Sequence, residues 1–210
     1  MGSNFAHLAF TPAVQAMQAR QGSAASYARM LGGAATPVHL GEDESAFIAA
    51  RDSFYQASVS ETGWPYVQFR GGPAGFLKVL DDHTIGYADF RGNRQYVSTG
   101  NFTGNDRVAL ILMDYANRAR LKILGRVRLV DAAEDASLLA RLEMPGYRAR
   151  VERGVVITVE AFDWNCPQHI TPRFTREELG QSDLAAREEI ARLRAELVAA
   201  KRDLARLQGR

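Results

Sequence analysis

The stretch Phe54-Tyr55-Gln56-Ala57-Ser58-Val59-Ser60-Glu61-Thr62-Gly63-Trp64-Pro65-Tyr66-Val67-Gln68-Phe69-Arg70 changes the hydrophobic period of this chain to two. Residues 54–60 read as a strand, Glu61-Thr62-Gly63 as the turn, and 64–70 as the returning strand, with Pro65 tolerated near its start. Alternation places Val67 and Phe69 on one face and Tyr66, Gln68 and Arg70 on the other. Gly71-Gly72-Pro73-Ala74-Gly75 makes a further turn, and residues 76–80 and 84–90 form a hairpin around Asp81-Asp82-His83. Residues 108–113 are continuously apolar, which predicts a strand buried on both faces. In 121–130, Leu121, Ile123, Val127 and Leu129 alternate with Lys122, Leu124, Arg126 and Arg128, and 155–162 supply one more strand. About six strands joined by short turns argue for a mainly β, antiparallel barrel rather than for alternating β-α units.

Helices are expected at the flanks. Residues 11–29 read as one helix, with Pro12 in its first turn and Gly32-Gly33 and Pro37 ending it. A second, short helix follows Gly41, with Glu42, Asp43 and Glu44 at its positive end and Phe47 and Ile48 facing inward. Residues 93–101 and 132–142 read as two more. Thr175-Arg176-Glu177-Glu178 is a capping-box pattern. After Gly180, apolar residues recur at Ile190, Leu193, Leu197, Ala200, Leu204 and Leu207, the spacing of a coiled-coil helix. The expected domains are a helical segment at 1–45, a barrel at 46–174 and a C-terminal helix at 175–210 that contacts the barrel or a second subunit.

At 210 residues the chain is long enough for one good core, and its net charge of +2 is too small for bulk nucleic-acid binding. Cys166 is the single cysteine, so no intrachain disulfide framework exists. No run approaches the roughly 18 apolar residues of a membrane span, and no basic-then-apolar leader is visible at the N-terminus. A cytoplasmic protein with neither membrane nor nucleic-acid partners is the expectation.

The stretch Tyr87-Ala88-Asp89-Phe90-Arg91-Gly92-Asn93-Arg94-Gln95-Tyr96 carries the chemistry. A strand runs into a glycine turn bearing two arginines and two amides, a candidate anion site. Gln68 and Arg70 on one strand face, Lys78 on the next strand and Asn93-Arg94-Gln95 after the fourth supply the residue types that FMN needs. A cation must meet its phosphate, amides its ribityl chain, and amides or cations its pyrimidine edge. Each set taken singly also suits a solvated polar face. Spacing alone favours a solvated basic face for Arg118, Arg120, Lys122, Arg126 and Arg128. Cys166-Pro167-Gln168-His169 makes half a metal site at best, so no metal is expected. His39, His83 and His169 are the residues that a haem alternative would call on. Ser60, Ser98 and Thr99 lack a visible partner set for nucleophilic catalysis, and no dinucleotide or P-loop glycine motif is present.

Several runs together resemble the pyridoxamine 5′-phosphate oxidase-like FMN-binding split barrels, in a bacterial branch distinct from the true pyridoxamine phosphate oxidases. They are Trp64-Pro65-Tyr66-Val67-Gln68-Phe69-Arg70-Gly71-Gly72-Pro73, Gly75-Phe76-Leu77-Lys78-Val79-Leu80, Asp89-Phe90-Arg91-Gly92-Asn93-Arg94-Gln95-Tyr96 and Asn165-Cys166-Pro167-Gln168-His169-Ile170-Thr171-Pro172-Arg173. Position 69 is Phe where many relatives carry His. The resemblance implies a six-stranded antiparallel Greek-key split barrel with flanking helices and a C-terminal amphipathic helix. It also implies a homodimer with FMN at the subunit interface. Arg70 and Gly92-Asn93-Arg94-Gln95 would hold the phosphate and ribityl. Gln68 and Phe76-Leu77-Lys78 would line the ring with Ala88 and Asp89 nearby, and Lys122 and Arg126 would reach in from the partner chain. The arginine-rich C-terminal segment with which true pyridoxamine phosphate oxidases grip their substrate is not recognisable here.

The leading expectation is therefore an FMN-dependent oxidoreductase acting on a small molecule, with Tyr66, Tyr96 and His169 as proton donors by chemical type only. The alternatives are a flavin- or haem-binding split barrel without turnover, and an interaction protein whose C-terminal helix binds a partner.

Overall fold

The computed structural model describes residues 4–32, 34–35, 37–164 and 167–208. Asn165 and Cys166 of the last motif, and Gly33, lie outside the described residues. The chain divides into two compact units, residues 1–114 with 118–169, and 115–117 with 170–210. No helix among the described residues is long and apolar enough to cross a membrane.

The first unit opens with helices α1 (Asn4–Ala9), α2 (Pro12–Arg20), α3 (Ala24–Leu31) and α4 (Glu42–Ala49). Where the sequence predicts one helix over 11–29 there are two, because Gly22 at φ +75° ends α2 in the left-handed region. In α4 the three first-turn acids and the buried Ile48 stand as expected.

Seven strands follow: β1 (Ser53–Val59), β2 (Pro65–Gly71), β3 (Lys78–Asp81), β4 (Thr84–Phe90), β5 (Arg107–Asp114), β6 (Ala119–Val130) and β7 (Val151–Trp164). All pairings are antiparallel, in the order β2-β1-β5-β6-β7-β4-β3. Two corrections to the six-stranded barrel follow. The sheet has seven strands, one for each of the seven segments read from sequence, with the four-residue β3 pairing with β4 at one edge. It is also not closed, since β2 and β3 end the order without pairing to each other. The result is a split-barrel-like sheet. Short helices α5 (Val97–Gly104) and α6 (Ala136–Leu142) sit between strands, and α7 (Arg176–Gln208) belongs to the second unit.

One face of the sheet buries the core: Phe54, Tyr87, Leu112, Leu121, Ile123 and Ile157, joined by Phe76 and Leu77 from the turn before β3. A smaller cluster of Ala88, Val130, Val156 and Leu142 forms on the opposite face of β4 and β7, where α6 packs. Burial on both faces thus falls to β4 and to residues 154–157 of β7, and not to β5. In β5 burial alternates, and the outward Ala109 and Ile111 join Tyr55, Ala57, Val67 and Leu124 around an open apolar hollow of about 240 Å³.

Two bulges bend the long strand β7. Asp89 faces Arg153 while Phe90 faces Val151, so Glu152 is the extra residue. Leu124 faces Ala161 while Gly125 faces Val159, which leaves Glu160 as the other. At the second bulge the strands approach so closely that a Cβ on Gly125 would lie 2.5 Å from the Thr158 carbonyl oxygen.

Candidate functional site

At the end of β4 the backbone leaves the sheet through Arg91-Gly92-Asn93-Arg94-Gln95-Tyr96. Asn93 Oδ1 accepts the Gln95 N–H at 3.1 Å, and Arg94 (φ 63°) and Tyr96 (φ 54°) both occupy the left-handed region. Non-glycine residues reach that region at a cost, so the loop is held in its shape by its surroundings. These turns also delay the helix expected from residue 93: α5 begins at Val97, behind a left-handed Tyr96 with no side-chain cap. Its first N–H groups are free to meet a ligand.

Loop, α5 and β2 enclose a cleft of about 240 Å³. Gln68 and Arg70 enter it from β2, Asp89 from β4, and Asn93, Arg94 and Gln95 from the loop. A second hollow of about 180 Å³ shares Gln68, Arg70, Phe90 and Gly92 with the first and adds Phe76, Tyr87 and Ala88. One end of the groove is therefore polar and the other aromatic.

Arg70 is the centre of this groove. Its Nη1 donates to Asp89 Oδ1 at 2.7 Å, its guanidinium stands 5.7 Å from the Tyr87 ring, and its buried Nε has no hydrogen-bond partner. Beneath it Tyr87 donates from its hydroxyl to Gln56 Oε1 at 2.7 Å. Burial, only partly offset by the Arg70 charge, raises the Tyr87 phenol above its ordinary range and keeps it protonated. Ser98 donates to Gln68 Oε1 at 3.0 Å, which fixes that amide toward the groove.

The β7 bulge adds Glu152 to the wall, and Arg153 beside it ties β7 to α5 and Asp89. Arg153 donates to Thr99 Oγ1 at 3.1 Å, stands 3.8 Å from Asp89 and lies 5.1 Å from the Tyr96 ring centre. Glu152 accepts from the Tyr96 hydroxyl at 3.0 Å and faces Arg91 at 3.6 Å. Arg94 Nε in turn donates to the Tyr96 oxygen at 3.3 Å. The guanidinium groups of Arg70 and Arg94 line the cleft with the carboxylates of Asp89 and Glu152, and Arg91 and Arg153, outside that lining, hold the two acids.

Of the residues picked from sequence, Gln68, Arg70, Asp89, Asn93, Arg94 and Gln95 meet in the cleft, and Phe76 and Ala88 line the adjoining hollow. Leu77 is a core residue with no exposed surface, and Lys78 borders neither hollow. Lys122 and Arg126 point elsewhere on this chain, paired with Asp163 at 2.8 Å and with Glu160 at 2.6 Å. Arg128 meets Glu134 at 2.8 Å, so much of the basic strand is balanced by neighbouring acids. Glu152 and Arg153 were not legible in sequence, since a bulge opposite Asp89 and Phe90 leaves no local pattern.

Among the described residues, Asp81, Asp82 and His83 bring their ligand atoms within 4.8 Å of one another on the exposed β3–β4 turn, outside the cleft. Its hydrogen bond with Asp82 holds the His83 imidazole above its usual range.

The sequence profile described as pyridoxamine 5′-phosphate oxidase matches residues 40–163. No curated protein matches the chain. Solved structures similar to it include HupZ of Group A Streptococcus, at 16% identity over 64% of this chain and 98% of that one, with a TM-score of 0.46. General stress protein 26 of Bacillus anthracis is 14% identical over 62% and 93% of the two chains, with a TM-score of 0.44. An FMN-binding protein of Syntrophomonas wolfei is 13% identical over 72% and 97%, also with a TM-score of 0.44. These likenesses are distant, and the family assignment rests on the profile. The matched residues cover more than half the sequence and include β1 to β6, all of β7 but its last residue, and the loop that shapes the cleft. The chain therefore belongs to the pyridoxamine 5′-phosphate oxidase family.

Proposed function

We propose that this protein binds FMN in the groove between β2, β4 and α5 and acts as an FMN-dependent oxidoreductase on a small molecule. The observation that carries the reading is the convergence of Arg70, Arg94 and the uncapped start of α5 on one cleft that opens into an aromatic hollow. Such a groove suits a ligand with an anionic tail and a flat, partly apolar ring.

In this reading Arg94 and the α5 N–H groups take the phosphate, with Ser98 and Thr99 beside them. Asn93 and Gln95 meet the ribityl hydroxyls. Gln68 and Arg70 face the ring edge, where the partnerless Arg70 Nε offers a donor already paid for in burial. Phe76, Ala88 and Phe90 shape the apolar end. FMN bound there would supply two-electron redox chemistry. The protein's residues would orient it and keep cationic donors near its ring edge. Tyr66 and Tyr96 border the cleft and are phenols that a substrate there would meet.

The reading includes a homodimer. The apolar hollow around Tyr55, Val67 and Ile111 gives a surface for that contact. Lys122 and Arg126 would reach the flavin from the partner by exchanging their present carboxylate partners.

The test is the visible spectrum of the purified protein, followed by heat release of its chromophore. Released FMN is the expected result, and reductant and acceptor screens then separate an enzyme from a flavin carrier. A Soret band would replace flavin by haem and bring His39, His83 and His169 forward. A colourless protein that also ignores added FMN would sink the proposal.

A further inference from the structure

Helix α7 runs unbroken from Arg176 to Gln208, 33 residues or about 50 Å. Its start is fixed by the capping box: Glu178 N–H donates to Thr175 Oγ1 at 3.2 Å, and Thr175 N–H donates to Glu178 Oε2 at 2.7 Å. Gly180 lies inside the helix and does not precede it. A polar helix of this length has no evident means of support as a single rod. Ile190, Leu193 and Leu197 are 49%, 51% and 54% exposed, so these three residues of its apolar stripe are open to solvent.

The stripe has an unbroken heptad spacing. Ile190, Leu197 and Leu204 fall at one repeating position, called a, and Leu193, Ala200 and Leu207 at the other, called d. Ile at a with Leu at d, as at 190 and 193, suits a parallel two-stranded coil. The flanking positions decide between a second copy and an unrelated partner. Glu189 and Glu196 occupy the g positions, and Arg194 and Lys201 the e positions that follow. In a parallel, in-register pair, g of one helix lies beside the following e of the other. Glu189 then meets Arg194 of the second copy, and the sequence repeats the arrangement at Glu196 and Lys201. Every such contact is attractive, and each occurs twice by symmetry. Within one helix Arg192 bridges the two glutamates, 2.6 Å from Glu189 and 4.0 Å from Glu196. Exposed pairs of this kind contribute little and yield readily to interhelical ones.

We infer that α7 is a homotypic zipper: two copies of this helix pair in parallel and in register through Ile190, Leu193 and Leu197. This inference is independent of the flavin reading. With only two and a half heptads, the coil gains from chains already held together, where the second contact becomes intramolecular.

Cysteine cross-linking of the full-length chain tests it, in a Cys166→Ser background. Ile190→Cys and Leu197→Cys place a thiol at two a positions, and Ala195→Cys places one on the outer face. Under mild oxidation, 190 and 197 should each give disulfide-linked dimer as the major species, several-fold above 195. A parallel pair predicts self-linking at both a positions, whereas an antiparallel pair permits it at one at most. Linking at a single a position, or no excess over 195, would overturn the inference. Light scattering before oxidation separates this from pairing through the sheet: dimers that fail to link at 190 and 197 would refute the zipper alone. Glu189→Arg with Glu196→Arg should reduce linking at 197 several-fold, and adding Arg194→Glu and Lys201→Glu should restore it.

Discussion

Arg70 and Asp89 hold the centre of the cleft, 15% and 8% exposed and 2.7 Å apart. A carboxylate that far from water depends on its cation, and the next guanidinium, that of Arg153, stands at 3.8 Å. Removing one member of such a pair leaves a buried charge and costs about 3–5 kcal/mol, whereas removing both is far milder. Arg70→Ala should therefore lower the unfolding free energy by about 3 kcal/mol, and adding Asp89→Ala should recover much of that loss. Urea titration of the two variants decides it; a double variant no more stable than Arg70→Ala would show the pair is not the cause. Flavin retention should separate from stability here. Both variants should lose the cofactor, because in the proposed site Arg70 is the donor facing the ring edge. Retention of flavin by the stabilised double variant would confine Arg70 to a structural role.

Among the elements, β2 and the loop into α5 supply most of the cleft's lining, and the bulges of β7 adjust it. One bulge turns Glu152 into the cleft and sets Arg153 against Asp89 and Thr99, and the other brings Gly125 against the Thr158 carbonyl. Any side chain at position 125 must displace backbone, not the end of a flexible neighbour. Gly125→Ala should cost about 1–3 kcal/mol, the usual range for overpacking, and thermal unfolding at an unchanged midpoint would refute the close approach. Alternation in β2 was legible in sequence: Tyr66, Gln68 and Arg70 are half-buried together while Val67 and Phe69 point outward. So were the hairpins and six of the residues that line the cleft. The bulges were not, because an extra residue in a ladder shows only against its partner strand. The apolar run of β5 was misread for a related reason. Composition reports that a face is apolar, not whether the same chain covers it, and here Ala109 and Ile111 open onto the uncovered hollow. The left-handed Arg94 and Tyr96 likewise have no sequence signature, since such positions are read from glycine.

At the scale of the whole molecule two apolar surfaces stand exposed among the described residues. One is the outer face of the sheet, where Val67 and Phe69 are 61% and 58% exposed; the other is the stripe on α7. Contiguous patches of this kind mark association sites, and each is proposed here to meet its own copy. In the proposed reading the sheet face is the one through which a second chain would finish the flavin site. Loss of the helical contact should leave that site intact. Ile190→Asp with Leu197→Asp, both at exposed positions, should therefore give a folded dimer by light scattering that retains its flavin. Adding Val67→Asp should produce a monomer with greatly weakened flavin binding and nearly unchanged stability, since exposed substitutions usually alter it by no more than about 0.5 kcal/mol. A monomer from the helix variant alone would mean that the sheet face does not pair. A triple variant that remains dimeric would place the contact elsewhere, and one that is monomeric yet keeps FMN at full affinity would show that a single chain completes the cleft.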